Sequence, residues 1–262
     1  MITTDFAVSW ILTAKEKTML TNKQIASFKD DGFLILENAI DQDLLSSWQT
    51  EFWYTLGGKF EDDETWPIDQ TFISRWRFTP PYPNIATIPA VQAAAYDLGG
   101  ENFFGGGGAP IIKWPSQKAN WSMPMSSHID GYGGPAQHPA GGLTLGATMY
   151  LHDVEEKGGG FIYWPGTHLN VHDYFRERPE HIDGSFLDAD DWNHTKFSHG
   201  SKPVEFVAAA GTVLLWHGFL SHNGSTNVQN TPRIGIFGRW HYTKLQEMRY
   251  DILDDLWKHW SI

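Results

Sequence analysis

The sequence predicts a mainly β protein with helices gathered at its N-terminal side. Before residue 108, segments with apolar residues at helical spacing dominate the chain. After residue 108, short apolar runs alternate with Gly, Pro, Asn and Asp, which is typical of strands joined by turns. No stretch has the composition of an interdomain linker. Helices followed by a run of short strands fit a two-sheet sandwich or barrel of jelly-roll type.

The N-terminal part contains three predicted helices and one strand. The segment LTNKQIASFKDDG opens with a capping-box pattern, Thr21 followed by Gln24, and Gly32 ends the helix. The segment FLIL that follows is predicted to be a strand. A second amphipathic helix lies in DQDLLSSWQTEFWYTL. A third lies in IPAVQAAAYDLGG, with Pro89 near its start and Gly99 past its end.

The second half is predicted to be rich in strands. The predicted strands lie in APIIKW, LTLGATMYLHDV, GFIYWPG, VEFVAAAG, TVLLWHG and RIGIFGRWHY. We assign residues 1–262 to one domain, with a helix-rich part (1–108), a jelly-roll core (109–245) and a C-terminal helix (246–262). The charged and aromatic segment 170–202 has weak periodicity, so it is either a lid or ordinary surface structure.

Composition restricts the classes of function. The chain has 262 residues, 19 Lys and Arg, 31 Asp and Glu, and a formal net charge of −12, which argues against non-specific binding to nucleic acid or to an anionic membrane. It has no cysteine and 12 histidines, so a metal site must use His, Asp or Glu. The apolar run from Phe6 to Leu12 is too short to span a bilayer and follows Asp5, so we expect a soluble, cytoplasmic protein.

The segment SMPMSSHIDGYGG contains a candidate metal site. In an extended chain, residues two apart project from the same face, so His128 and Asp130 would point together. An imidazole and a carboxylate on one face are two of the three ligands of a 2-His-1-carboxylate site, which suits non-haem Fe(II) and oxygen. On its own the pattern is weak, because a surface loop ending in glycines would have the same composition.

A third ligand must come from a distant part of the chain. The segment LLWHGFLSHNGSTNVQNTPRIGIFGRW offers His217 and His222, and a continuous strand would turn only one of them inward. Arg233 stands eleven residues after His222, at the start of the next predicted strand. If the two strands pair antiparallel, Arg233 lies near His222, where its guanidinium is suited to bind a carboxylate. The alternative for Arg233 is a surface ion pair.

In this order, the segments resemble the phytanoyl-CoA dioxygenase-like family of Fe(II)/2-oxoglutarate-dependent oxygenases. The resemblance extends over about residues 20–243 and rests on LTNKQIASFKDDGFLILENAI, IIKWP, HID, GGGFIYWPGTHL and GTVLLWHGFLSHNGSTNVQNTPR. It implies a double-stranded β-helix core of the jelly-roll, cupin-like type, with N-terminal helices packed on one sheet. It also implies Fe(II) as the cofactor, with 2-oxoglutarate and O2 as cosubstrates.

The resemblance carries over to individual residues by their position in these segments. It makes His128, Asp130 and His222 the iron ligands. It makes Arg233 the residue that binds the distal carboxylate of 2-oxoglutarate. His217 is then expected to be structural, and it is the alternative ligand if His222 is not one.

Further residues match positions near the cosubstrate in this family. Lys113 stands where the family often has a basic residue, although it could equally be an exposed residue at a strand edge. Thr148 lies on the following strand and could face the cosubstrate. Ser225 could donate to the distal carboxylate, although the family's small polar residue often sits one place earlier. The family's Asn before a Gly is replaced here by Gly158 or Gly159, which is expected to be a difference in the turn without chemical meaning.

The implied activity is hydroxylation, or another oxidation such as desaturation, of a small molecule, with release of succinate and CO2. The carboxylate of Asp130 favours this over halogenation, because halogenating relatives have a small residue in its place. Trp114, Trp121 and Tyr132 flank the metal motif and are candidate pocket walls, or they pack at the barrel mouth. The acidic composition argues against CoA esters. It leaves specialised metabolites, amino-acid-like compounds and amines as the expected substrates.

Other functions fit parts of the same pattern. A non-catalytic β-barrel binding protein would keep the fold without turnover. A cupin-like metalloenzyme would bind a metal without 2-oxoglutarate and would not need Arg233. A hydrolytic zinc site would need a general base, and no Glu stands between His128 and Glu155. The oligomeric state is not predicted.

Overall fold

The computed structural model describes residues 19–74, 77–79, 82–116, 120–130, 141–185 and 195–262. The α-helices in these ranges are α1 (Asn22–Asp31), α2 (Gln42–Leu56), α3 (Pro89–Gly99), α4 (Thr167–Glu177), α5 (Thr195–Ser198) and α6 (Leu245–Met248). The strands are β1 (Phe33–Leu36), β2 (Phe103–Gly105), β3 (Pro110–Lys113), β4 (Thr144–Tyr150), β5 (Phe161–Tyr163), β6 (Val204–Glu205), β7 (Val213–His217), β8 (His222–Gly224) and β9 (Arg233–Tyr242). No helix within these ranges is both long and apolar enough to cross a membrane. The apolar run Phe6 to Leu12 and the candidate pocket residue Tyr132 lie outside them.

The strands form two antiparallel sheets. The larger sheet has the order β1-β7-β4-β9-β2, with β3 also paired to β9, and the smaller sheet has the order β6-β5-β8. β6 is shorter than the predicted strand VEFVAAAG, and beyond it Ala208 forms an isolated bridge with Val154. This arrangement confirms the predicted mainly β, jelly-roll core.

The N-terminal helices cover the outer face of the larger sheet. Along β7, Val213 and Leu215 pack in the same core cluster as Trp48 of α2, whereas Leu214 and Trp216 pack toward the smaller sheet. Both faces of β7 are therefore buried, which explains why its sequence is a continuous apolar run. The prediction that helices pack on one sheet is confirmed.

The first helix begins and ends where its sequence predicts. The backbone N–H of Gln24 donates to the hydroxyl of Thr21 at 3.2 Å, and the N–H of Thr21 donates to Gln24 Oε1 at 2.9 Å. Gly32 follows α1 with φ at 79°, a left-handed conformation that glycine adopts without steric cost. The chain then turns directly into β1.

The C-terminal region differs from the helix predicted over residues 246–262. α6 ends at Met248, a single 3-10 turn follows at Asp251–Leu253, and the remaining residues form turns. The Trp260 indole N–H donates to the carbonyl of Gly142 at 3.0 Å, and the N–H of Ser261 donates to the carbonyl of Leu98 at 2.9 Å. A straight helix of this length would extend about 25 Å and would not follow the sheet to these partners.

The segment 170–202 is described except for residues 186–194. It contains most of α4, a 3-10 helix at Pro179–Asp183, and α5. The rings of Tyr174 and Phe175 pack against Phe197, with ring centroids 5.2 and 6.1 Å away. The described part is thus anchored by an aromatic cluster, and the lid remains a prediction.

Candidate metal centre

Two distant segments bring the three predicted metal ligands together. His128 and His222 exchange two backbone hydrogen bonds of 2.9 Å each, so they face each other as a cross-strand pair. One ligand atom each of His128, Asp130 and His222 lies within 4.8 Å of the other two. Among the residues that the structure describes, this is the only cluster of His, Asp or Glu with the spacing of a metal site.

A hydrogen bond to the backbone sets the orientation of His222. Its Nδ1 donates to the carbonyl of Leu220 at 2.8 Å, and its Nε2 lies 3.2 Å from Asp130 Oδ1. The buried ring packs beside Trp216 and Phe161, with centroids 4.6 and 5.1 Å away. A donor bond from one ring nitrogen leaves the other as the metal-binding nitrogen, which is the usual arrangement of a ligating histidine.

The other oxygen of the Asp130 carboxylate is bound by Arg239. Arg239 Nε donates to Asp130 Oδ2, and its guanidinium lies over the ring of Trp216, 4.1 Å from the ring centroid. Burial alone would raise the pKa of the Asp130 carboxyl, but the charge of Arg239 and the contact with His222 outweigh it and hold that pKa well below its ordinary value. The carboxyl is therefore ionised, as metal binding requires.

Arg233 is buried, with 3% of its surface exposed, and its hydrogen-bond partners are neutral. Its Nε donates to the carbonyl of Gly159 at 2.8 Å, and its Nη1 donates to the carbonyl of Ile111 at 3.3 Å. Burial lowers the pKa of this guanidinium. Among the described residues it has no carboxylate partner, so its positive charge is uncompensated and the pocket favours an anion.

Gly235 makes room for Arg233, and Gly159 packs closely beside Lys113. A Cβ on Gly235 would lie 2.6 Å from Arg233 Nη1, which is closer than real Cβ contacts come. Gly159 has φ at 80°, and a Cβ there would lie 3.2 Å from the Cβ of Lys113. The carbonyl of Gly159 binds Arg233, but any residue offers a backbone carbonyl, so the expectation that Gly in place of Asn changes only the turn stays a prediction.

The ligands and Arg233 line one cavity between the two sheets, with a volume of about 300 Å³. The sequence analysis expected the strands of His222 and Arg233 to pair with each other. They do not. β8 pairs with β5 in the smaller sheet, whereas β9 pairs with β2, β3 and β4 in the larger one. His222 and Arg233 therefore face the cavity from opposite sheets.

Lys113 also lines this cavity. In the pairing of β3 with β9 it stands directly opposite Arg233. Burial, and then the charge of Arg233, lower the pKa of the Lys113 ammonium. Two cations at one end of a cavity make that end suitable for a carboxylate.

Thr148 and Ser225 lie outside the cavity as the described residues form it. Thr148 is fully buried, and its hydroxyl accepts a hydrogen bond of 3.2 Å from the indole N–H of Trp216. The hydroxyl of Ser225 donates to Glu205 Oε1 at 3.0 Å. Thr148 therefore supports the ring beside His222, and Ser225 fixes the turn after β8.

The structure also places Trp114 and Trp121 away from the described cavity lining. Trp114 follows Ile112 on the helix-facing side of β3, where its N–H donates to the carbonyl of Gln70 at 2.7 Å. Its ring stacks on Trp66 with centroids 5.6 Å apart. Trp121 lies beside Lys157, whose Nζ is 6.0 Å from the ring centroid. Strand alternation, which turns every second residue outward, explains the misplacement of Trp114.

Six residues that line the cavity were not predicted from the sequence: Ile111, Phe161, Asn223, Gly224, Phe237 and Arg239. The segment RIGIFGRWHY contained a usable signal, because residues at even spacing in a strand share a face. Once Arg233 is placed in the site, the same face includes Phe237 and Arg239.

Comparison with known families is consistent with this site. The family described as Phytanoyl-CoA dioxygenase (PhyH) matches residues 28–235, which is most of the chain. The protein therefore belongs to this family, and the resemblance seen in its sequence is confirmed. Comparison with curated proteins finds no match.

Solved structures show the same fold at low sequence identity. The non-haem α-ketoglutarate-dependent carbocyclase SnoK from nogalamycin biosynthesis is 16% identical with a TM-score of 0.59, covering 87% of this chain and 85% of its own. EctD from S. alaskensis, solved with 2-oxoglutarate and 5-hydroxyectoine, is 18% identical with a TM-score of 0.59, covering 88% and 79%. HygX from Streptomyces hygroscopicus, with nickel and 2-oxoglutarate bound, is 16% identical with a TM-score of 0.54, covering 86% and 88%.

Proposed function

We propose that the protein is an Fe(II)- and 2-oxoglutarate-dependent oxygenase that hydroxylates a small molecule. The observation that carries this proposal is that one cavity holds both a His-Asp-His cluster and the guanidinium of Arg233. This guanidinium is buried and has no carboxylate partner among the described residues. Family membership supports it. The bound 2-oxoglutarate in EctD and HygX also supports it, because those proteins have the same fold.

The three ligands of this chain would hold iron from one side. His128, Asp130 and His222 supply two imidazoles and one carboxylate, and this donor set leaves adjacent metal positions open. When bound, iron together with 2-oxoglutarate and O2 supplies the oxidant for a substrate C–H bond, and 2-oxoglutarate leaves as succinate and CO2. Arg239 keeps the Asp130 carboxylate ionised and, by binding Oδ2, fixes the orientation of the carboxylate. Since Asp130 fills the third protein position, we favour hydroxylation over halogenation.

Arg233 and Lys113 would bind the distal carboxylate of 2-oxoglutarate. Arg233 is held in place by its bonds to the carbonyls of Gly159 and Ile111, so little side-chain entropy is lost on binding. A carboxylate would compensate its buried charge in a bidentate contact. The rings of Phe161 and Phe237 form apolar walls that limit water around the reacting groups.

The first test is an anaerobic titration of metal-free protein with Fe(II) and then 2-oxoglutarate, followed by the weak visible charge-transfer band of the chelate. We expect the wild-type protein to develop the band. Asp130→Ala should weaken iron binding, because one of three ligands is lost. Arg233→Ala should weaken 2-oxoglutarate binding at least about tenfold, the loss expected when a charge-assisted hydrogen bond is removed.

A matched control is Arg176→Ala, which removes an exposed arginine paired with Asp173 on α4. It should leave both titrations unchanged. Iron binding without a band would refute the cosubstrate assignment and favour a cupin-like metalloenzyme. Failure to bind iron at all would refute the metal site and favour a binding protein. If the band forms, succinate release then measures turnover with candidate substrates.

A further inference from the structure

Arg239 lies beside the proposed metal centre and contacts the ligand Asp130, but it is not itself one of the three ligands. Its Nε binds Asp130, its plane is stacked on Trp216, and its Nη1 donates to the carbonyl of Gly238 at 2.8 Å. A guanidinium has five N–H donors. Among the described residues, Nη2 has no partner, although the side chain lines the cavity and is 25% exposed. The outer edge formed by Nη1 and Nη2 is therefore open to a ligand in a fixed orientation.

Arg239 lies at a different end of the cavity from Arg233. The two residues are six positions apart on one face of β9, which separates their Cα atoms by about 20 Å in an extended strand. Phe237 stands between them on the same face. Asp130 contacts Arg239, so the proposed metal lies toward this end, and 2-oxoglutarate would extend from it toward Arg233. The free edge of Arg239 is thus available to a second ligand.

The charges of the described cavity lining do not balance. Lys113, Arg233 and Arg239 are cations, and Asp130 is the only carboxylate among the described lining residues. A ferrous ion and the 2-oxoglutarate dianion would cancel each other, so an excess of two positive charges would remain. Residues 131–140, which follow the metal motif in sequence, contain no Asp or Glu. The excess is notable in a protein whose net charge is −12, and it disfavours cationic amines as substrates.

The wall near these charges is apolar. Phe237 lines the cavity between the two arginines, and its ring centroid lies 6.3 Å from that of Phe161. The part of the cavity next to Arg239 is therefore walled by aromatic rings. A ligand that fits has an apolar body and one anionic end.

We propose that the substrate carries a carboxylate, which the Nη1/Nη2 edge of Arg239 binds in bidentate fashion. This inference rests on the proposed oxygenase function, because the substrate is defined by its place beside the metal and 2-oxoglutarate. Arg239 is then a substrate-binding residue that also orients Asp130. The planar, two-donor edge matches a carboxylate better than it matches an amide or an ester.

The test is calorimetric binding of phenylacetate and phenylacetamide, which differ only in the charged group. Protein is loaded anaerobically with Fe(II) and saturating 2-oxoglutarate, so that the Arg233 end is occupied. We expect phenylacetate to bind at least about tenfold more tightly than phenylacetamide, as expected for one charge-assisted contact. Arg239→Gln should remove this preference, which is measured for each variant at saturating Fe(II) and 2-oxoglutarate because Arg239 also orients Asp130. Arg176→Gln, which loses an exposed arginine, should retain the preference.

Arg239→Lys keeps the charge without the planar edge, so it should bind phenylacetate with intermediate affinity. It also carries the test if Arg239→Gln fails to fold or to hold iron. Equal affinity for the two probes, or no binding of acetate, phenylacetate and indole-3-acetate, would overturn the inference. A loss of 2-oxoglutarate affinity in Arg239→Lys with Fe(II) affinity unchanged would also overturn it, because the bound carboxylate would then be that of the cosubstrate.

Failure of the proposed function gives a different result. If no charge-transfer band forms with 2-oxoglutarate, the same probes are titrated into metal-free protein. A preference for phenylacetate that depends on Arg239 would then support an anion site in a protein that is not a 2-oxoglutarate-dependent oxygenase. No preference in this arm would overturn the carboxylate site as well.

Discussion

At the scale of single residues, the site depends on side chains with one defined set of partners. His222 presents Nε2 because its Nδ1 is bound to the carbonyl of Leu220. Asp130 divides its oxygens, with Oδ1 toward His222 and Oδ2 bound to Arg239. Trp216 supports both His222 and Arg239 and is itself held by Thr148. A change in Trp216, which contacts both of these side chains, is therefore expected to act on the ligands indirectly.

Replacing Thr148 tests this supporting layer. Thr148→Val leaves the buried indole N–H of Trp216 without its acceptor, which should lower the free energy of unfolding by about 1–3 kcal/mol. Because Thr148 does not line the described cavity, 2-oxoglutarate affinity should stay at the wild-type value. Urea unfolding and the charge-transfer titration measure the two quantities. Thr148→Ser keeps the hydroxyl and is the control, and an affinity loss with unchanged stability would restore Thr148 as a cosubstrate contact.

At the scale of elements, β9 connects the fold to the site. Its residues Ile234, Ile236 and Trp240 pack in the core between the larger sheet and the N-terminal helices. Its residues Arg233, Phe237 and Arg239 line the cavity on the other face. The apolar face anchors the strand, and the alternating face presents two guanidinium groups at defined positions. A rigid strand positions such groups more accurately than a loop.

The C-terminal segment, residues 249–262, packs against the N-terminal helices and the larger sheet through Trp260. Trp260 is 7% exposed, packs on Phe28 and Phe103 with centroids 5.8 and 4.7 Å away, and donates to Gly142. We expect Trp260→Ala to lower the free energy of unfolding by about 3–5 kcal/mol, as for other buried large-to-small changes. Chemical denaturation measures this loss.

Two further variants serve as controls for the stability loss of Trp260→Ala. Trp260→Phe keeps an aromatic ring without the N–H, so it should lose less stability than Trp260→Ala. Tyr54→Ala removes an aromatic side chain that is 82% exposed and should be nearly neutral. If Trp260→Ala is also nearly neutral, the C-terminal segment does not contribute to the core as its packing indicates.

At the scale of the whole molecule, buried histidines couple stability to pH. Burial lowers the pKa of His152 and His168 to about 4, and it lowers the pKa of His217 well below its ordinary value. An unfolded histidine has a pKa of about 6.5. Between pH 6.5 and 4 the unfolded chain therefore binds protons that the folded chain does not, and stability falls as the pH falls.

The expected slope is up to about 1.4 kcal/mol per pH unit for each such histidine. Urea unfolding at pH 7, 6 and 5 measures it. His168→Gln removes one titrating group and should reduce the slope of stability against pH by up to about 1.4 kcal/mol per pH unit, the effect of one proton. The Asp130 carboxyl, whose pKa is held low, loses its contribution only at more acidic pH, so it does not account for a slope in this range. A stability that is constant from pH 7 to 5 would contradict this prediction.

Local patterns in the chain were enough to predict the caps of the first helix, most strands, the class of fold and the pair His128 and Asp130, and the family resemblance selected His222 over His217 as the third member of the cluster. These features depend on residues close in sequence or on motif order, such as the capping box at Thr21 and the His-x-Asp pair at His128. The opposite-sheet placement of His222 and Arg233, the position of Trp114 in the outer layer, and the contact between Arg239 and Asp130 depended on tertiary structure. Each of these depends on which strands pair and which face of a strand meets the second sheet. Residues more than a hundred positions apart, such as Asp130 and Arg239, carry no local signal of their contact.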